Sequence, residues 1–181
     1  MLTQLTSFAT LGLRSERITV EVGSTHGYTE QGNFFIVGLG DTAVQESKQR
    51  VRMALRSSGY KSPGGRVITV NLAPADIRKV GPRYDLPIAL GLLLAHEQTS
   101  IPEETLKGTA FLGELALDGS LRHVSGVLPA AIACAKLGIS TLVVPAMNGP
   151  EAALIPGIRV IAPGSLKELI EILQGDREPE P

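Results

Sequence analysis

Asn71-Leu-Ala-Pro-Ala-Asp-Ile-Arg-Lys-Val-Gly-Pro-Arg-Tyr-Asp-Leu-Pro-Ile-Ala-Leu90 is the stretch that decides the fold. It follows the β-branched run Arg66-Val-Ile-Thr-Val70 and leads into an apolar, helix-length run over residues 86–96. Between strand and helix lies a loop with two prolines, one glycine, three basic residues and Asp76. A rigid strand and a buried helix framing a loaded loop is a common way to present functional side chains. The loop predicts Asn71 and Asp76 as hydrogen-bonding loop residues. Asp85, just before the apolar run and with Pro87 in the first turn, is predicted as a helix N-cap.

Outward from this stretch, residues 5–13, Thr19-Val-Glu-Val-Gly23 and Asn33-Phe-Phe-Ile-Val37 read as strands. Asp41 or Thr42 caps a predicted helix that runs to about Ser58 and stops at Gly59. Along it, Val44, Val51 and Leu55 share an inward face, and Lys48, Arg52 and Arg56 recur at i+4 spacing on another. Asp118-Gly119 between extended runs 110–117 and 121–124 predicts a hairpin, because glycine supplies the positive φ of the tight turn. Helix 128–137 ends at Gly138, a strand covers 140–145, a short helix 150–154 and a strand 159–162. Ser165-Leu-Lys-Glu168 is a capping box opening a helix to residue 173. Hairpins mixed with crossovers predict a mixed α/β (α+β) fold with helices packed on sheets.

Composition narrows the class. With 181 residues and 43% hydrophobic content, the chain holds enough apolar surface for one ordinary core, and the length favours one domain. The single cysteine, Cys134, excludes an internal disulfide and reads as buried filler. No apolar stretch reaches the 18 or so residues of a membrane span, and the N-terminus has no signal-peptide pattern, so cytoplasm is the expected location. The net charge of −1 conceals a segregation. Nine basic residues lie between Ser47 and Arg83 with Asp76 as the lone acid, leaving 8 basic and 17 acidic residues elsewhere. Such asymmetry argues about partners, not fold.

Several further runs carry a family resemblance. Phe35-Ile-Val-Gly-Leu-Gly40, Ala43-Val-Gln-Glu-Ser47 and Arg50-Val-Arg-Met-Ala-Leu55 precede the opening stretch. Phe111-Leu-Gly-Glu-Leu115 and Gly126-Val-Leu-Pro-Ala130 follow it. In this order, over about residues 5 to 172, the chain resembles the N-terminal domain of the ComM/YifB family of magnesium-chelatase-like AAA+ ATPases. The resemblance implies a Lon-protease-like domain of the ribosomal protein domain-2-like superfamily over residues 1–175. Residues 176–181 would be a linker stub or an artificial end, and the AAA+ module would lie outside this chain. It implies ATP and Mg²⁺ as cofactors of that missing module, none for this segment. It also implies a hexameric homo-oligomer at full length, working on branched DNA in recombination during natural transformation.

Three chemistries can be tested on the residues. A phosphate-cradling P-loop needs G-x-x-x-x-G-K-[ST], and Gly38-Leu-Gly40 lacks the lysine and hydroxyl. With Ala43 it fits a relaxed dinucleotide fingerprint, but Tyr60 and Lys61 stand where a ribose-binding acid belongs. The segment is not an ATPase by itself. Lon proteases use a serine after a Lys-Asp-Gly-Pro run, activated by a distant lysine; here Lys79-Val-Gly-Pro82 puts Arg83 at the nucleophile position. Leu128 takes the lysine position, so no catalytic residue is assigned, and Ser125 reads as a helix-start cap. His26, His96 and His123 have no metal-ligand spacing, and no metal site is expected.

The basic cluster remains. Lys48, Arg52 and Arg56 on the helix, with Arg78, Lys79 and Arg83 on the loop, make a phosphate-contacting surface if the fold brings them together. With Tyr60 and Tyr84 the nearest aromatics, backbone contact to DNA is favoured over base readout. The competing readings are docking on the chain's own AAA+ module or a partner without DNA, a residual Lon-like hydrolase, and a solvated face with internal ion pairs. In the last, Glu46 would hold Arg50 and Asp85 would hold Arg83.

Overall fold

The computed structural model describes residues 2–29, 33–61 and 65–179. Glu180 and Pro181, the end of the expected linker stub, lie outside the described residues. Strands β1 (Leu2–Leu11) and β2 (Arg14–His26) form a long antiparallel hairpin, in register from Leu11 opposite Arg14 to Leu2 opposite Gly23. Strand β3 (Phe34–Val37) is followed by helices α1 (Thr42–Gln45) and α2 (Ser47–Ser57). Next come β4 (Arg66–Ala73), the apolar helix α3 (Asp85–Ala95) and a short helix α4 (Glu103–Lys107), which the sequence reading missed. Strand β5 (Thr109–Phe111) precedes a small ribbon of β6 (Glu114–Leu115) and β7 (Leu121–Arg122). The chain continues through α5 (Val127–Leu137), β8 (Thr141–Val143), α6 (Gly149–Ala152), β9 (Arg159–Ile161) and α7 (Leu166–Leu173).

Seven strands make one sheet in the order β3-β4-β2-β1-β5-β8-β9. Its centre is antiparallel; β3 joins β4 in parallel, and β5, β8 and β9 extend β1 in parallel. This is the mixed α/β architecture that the alternation of hairpins and crossovers predicts. Successive side chains on a strand point to opposite faces, and the core divides accordingly. Leu5, Ala9, Phe111 and Val143 meet α2, α3 and α7 on one face. Phe8, Ala110, Leu112 and Leu142 meet α5 and α6 on the other. Ten of the eleven residues of α3 are buried, so this helix has no solvent face to encode.

Two local departures have identifiable causes. The predicted single helix from 42 to 58 breaks at Glu46 because the Arg50 guanidinium takes the Ala43 carbonyl at 2.7 Å. Asp41 does cap it, accepting the Val44 N–H at 2.9 Å. The predicted strand 110–117 splits at Gly113, whose N–H and carbonyl are diverted to the Arg83 carbonyl and the Leu86 N–H at the start of α3.

Candidate functional site

The loop between β4 and α3 is anchored to the turn that follows β3. Lys79 is fully buried, and its ammonium donates to the Gly38 carbonyl at 2.6 Å and to the Pro74 carbonyl. Its backbone donates to Leu39 O and accepts from Asp41 N, both at 3.0 Å, and the Asp41 carboxylate accepts the Gly81 N–H. Gly38 is obligatory here: at φ +113, an added Cβ would stand 2.1 Å from the Leu72 carbonyl oxygen. Burial lowers the Lys79 pKa, against a smaller opposing pull from Asp76. The expectation that Lys79 contacts phosphate is therefore corrected, because its charge is enclosed by backbone carbonyls. Arg78 and Asp76 remain exposed in the loop. Asn71 is not a loop residue; it lies in β4 and donates to Glu21 Oε1 across the β2–β4 pair at 2.9 Å.

Asp85 also departs from expectation. The N-cap of α3 is Tyr84, and the Asp85 carboxylate turns inward beneath α2. There it accepts from Ser47 Oγ (2.5 Å), Arg50 Nε (2.6 Å) and the Leu115 N–H (3.1 Å). The proposed Asp85–Arg83 and Glu46–Arg50 pairs are replaced by one buried Asp85–Arg50 bridge. Burial raises the Asp85 pKa against these hydrogen bonds. Burial also works against the Arg50 charge, but the hydrogen bond and charge of Asp85 leave that guanidinium held above its ordinary value. We take the ion pair as the folded state, because every contact to Asp85 is from a donor. This bridge fixes the N-terminal ends of α2 and α3 together.

Arg83 lies over a third place. It donates to Thr10 Oγ1 at 2.6 Å and to Ser125 Oγ at 3.4 Å. Gly126 lets it in: at φ +81, an added Cβ would meet Thr10 Oγ1 at 2.3 Å and Arg83 at 2.8 Å. Gly126 itself is the N-cap of α5, with no side-chain capping bond, so Ser125 is not the expected cap. A guanidinium cannot accept a proton at neutral pH, and the partner of the Ser125 hydroxyl is thus no general base.

Arg52 and Arg56 do come together, on the rim of a cleft of about 210 Å³ between α2 and the C-terminal half of α3. Arg52 lies 5.2 Å over the Phe34 ring and donates to Asn33 Oδ1 at 2.6 Å. Arg56 has no hydrogen-bond or ion-pair partner among the described residues, and Lys61 adds a third cation. Leu55, Tyr60, Leu92 and Leu93 supply the walls, and among the described residues no carboxylate lines the cleft. Gln98 closes its far end by exchanging hydrogen bonds with the Lys61 backbone at 2.8 and 2.7 Å. Lys48, half-buried on the first turns of α2, does not line it, nor do Arg78, Lys79 or Arg83. The six candidate cations are thus distributed rather than gathered on one lining. Tyr60 and Lys61 follow Arg52 and Arg56 within the basic window, but nothing in the sequence tied His96 to them; the packing of α2 against α3 does so.

His96 at the cleft bonds Ser24 Oγ at 2.7 Å. Its pKa is lowered by burial first, then by the charges of Arg66 and the chain's N-terminus. A lowered folded value means that the unfolded chain takes up the proton first as pH falls, so this contribution is complete above about 6.5 and lost below it. Urea midpoints between about pH 7 and about pH 5 are expected to fall less steeply in His96→Gln than in wild type.

Other reactive side chains lie away from the cleft. Burial pushes the Cys134 thiol up to about 12, leaving no thiolate at neutral pH. His26 bonds Arg66 at 2.9 Å and His123 is exposed. Among the described residues, no cluster of three or more His, Cys, Asp or Glu side chains suits a metal, and no helix is long and apolar enough to cross a membrane.

A mixed seven-stranded sheet covered by helices on both faces carries this loop and cleft. Residues 20–148 match the family model for subunit ChlI of Mg-chelatase, and the chain belongs to that family. It is 39% identical to competence protein ComM of Haemophilus influenzae over 95% of this chain and 32% of that protein. It is 41% identical to YifB of Escherichia coli over 92% of this chain and 32% of that protein. A Lon protease of Magnetococcus marinus is 28% identical over 70% of this chain and 16% of its own length. The chain thus spans about a third of the length of its ComM and YifB relatives.

Proposed function

We propose that this chain is a non-catalytic accessory domain of a ComM/YifB-type AAA+ ATPase that acts on branched DNA in the cytoplasm, and that the outer face of α2 contacts the DNA backbone. In this reading, ATP and Mg²⁺ serve the ATPase module of the whole protein. The partners are that module, further copies in a hexameric ring, and DNA during branch migration in competence. The observation that carries the reading is the group of Arg52, Arg56 and Lys61 on one rim with no carboxylate among the residues lining it. Unneutralised cations on a slightly acidic protein favour a polyanion. A second reading, docking on the chain's own ATPase module without DNA, is favoured by the exposed Met53, which shares a shallow groove with Arg52 and Arg56.

Titration of a four-way DNA junction against salt separates the two. Wild type is expected to bind with a linear log–log salt dependence. Arg52→Ala/Arg56→Ala is expected to weaken binding on the order of tenfold and reduce the slope by about 2, since each lost phosphate contact removes roughly 0.9. An unchanged slope, together with lost capture of the ATPase module by the double variant, supports the docking reading instead.

A further inference from the structure

We propose that the cleft between α2 and α3 receives a single nucleotide unit, its phosphate held by Arg52 and Arg56 and its planar base laid against Tyr60. This rests on the reading that the domain meets DNA, and adds what the cleft itself accepts.

Two halves of the cleft ask for different chemistry. The rim offers the side-chain charges of Arg56 and Lys61, which have no partner among the described residues, and Arg52 lies 5.2 Å over the Phe34 ring. A neutral apolar guest would leave these cations without a counter-charge. The wall offers Leu55 and the half-buried Tyr60 ring, and a bare phosphate would leave that surface unused. Glu171, whose charge reaches Tyr60, is paired with Arg177 at 3.5 Å and is not among the residues lining the cleft. An anion joined to a flat ring satisfies both halves, and base–aromatic stacking is tolerant of sequence.

Size and stiffness select the unit. At about 210 Å³ the cleft is smaller than the roughly 300–1,000 Å³ of sites for drug-sized ligands. It accommodates one ring, not a base pair. The Asp85–Arg50 bridge at one end and the Gln98–Lys61 pair at the other tie the two sides of the cleft at a fixed spacing. A paired duplex presents phosphate alone to such a rim, whereas an unstacked nucleotide presents phosphate and base together. The nucleotide has two sources, a free mononucleotide or an unpaired position in a strand.

The test uses this chain with three probes: a single-stranded oligonucleotide carrying one 2-aminopurine, the same strand abasic at that position, and free 2-aminopurine nucleoside monophosphate. Wild type is expected to change the 2-aminopurine emission and to bind the abasic strand roughly tenfold more weakly. Tyr60→Ala should erase that difference, while Arg56→Ala weakens both strands alike. Leu55→Trp, which fills the cleft from beside Tyr60, should act as Tyr60→Ala does and covers the case in which that variant unfolds. Saturable binding of the monophosphate as tightly as the strand assigns the site to free nucleotides; binding of the strand alone assigns it to DNA. Equal affinity for base-bearing and abasic strands, with Arg56→Ala still weakening both, overturns the cleft proposal and leaves DNA contact standing. Monophosphate binding without any DNA binding does the reverse. Failure of every probe, or displacement of them by a polyglutamate peptide, removes the nucleotide from the cleft.

Discussion

Asp85→Ala is expected to lower the unfolding free energy by about 3–5 kcal/mol, the usual loss when one member of a buried ion pair is deleted. The Asp85 side chain is fully buried and its partner Arg50 is 18% exposed. Alanine would deprive Arg50 Nε, the Ser47 hydroxyl and the Leu115 N–H of the carboxylate that accepts their hydrogens. With a urea m-value of about 2 kcal/mol/M, the midpoint moves down on the order of 2 M. The pair as a whole is a different matter, since a buried ion pair replaced by packed apolar groups is often neutral. Asp85→Leu/Arg50→Met is therefore expected to recover much of the loss. A double variant as unstable as Asp85→Ala would show that Ser47, Leu115 and the Ala43 carbonyl set the cost.

Lys79→Ala is expected to cost about 2–3 kcal/mol of stability, in the range of hydrogen bonds made by a charged donor. Its ammonium tethers the loop to the turn after β3 through the carbonyls of Gly38 and Pro74. Thermal unfolding should therefore fall by several degrees while the salt slope of junction binding stays at the wild-type value. Arg52→Ala/Arg56→Ala should do the opposite, with both side chains exposed on α2. A reduced slope for Lys79→Ala, with its Tm unchanged, would restore it to the phosphate-contacting set.

Much of the fold was legible because local and global preferences agree. Asp41 and Ser165 cap the helices that their positions predicted, accepting from Val44 N and Glu168 N. Asp118-Gly119 turns a ribbon, as such a dipeptide should. The misses lie where a distant side chain captures a backbone group. The second arm of that ribbon stops at Arg122 rather than Val124 because the Asn148 amide takes both the N–H and the carbonyl of Val124. Nothing in the local pattern near Val124 announces a partner 24 residues away. The hairpin β1–β2 covers residues 2–11 and 14–26 rather than 5–13 and 19–23: its turn at 12–13 cuts the first strand short, and its polar stretches pair along the backbone, which apolar alternation does not register.

The candidate site was legible in part for the same reason. Helical spacing placed Arg52 and Arg56 together correctly, since i+4 geometry is local. Charge counting could not distinguish Lys79, whose ammonium is spent inside, from Arg78, which faces solvent. Nor could it separate Arg50, committed to Asp85, from its neighbours on α2.

Helix α3 has a consequence for how this sequence can vary. With ten of eleven residues enclosed, a saturation library across Asp85–Ala95 should be depleted for polar replacements at nearly every position, with no three-to-four-residue rhythm. The same library across Ser47–Ser57 should oscillate, intolerant at Val51 and Ala54 and permissive at Gln49, Arg52 and Met53. Innovation in this pair of helices is thereby channelled onto α2, which still looks outward, while its neighbour is locked as an axle.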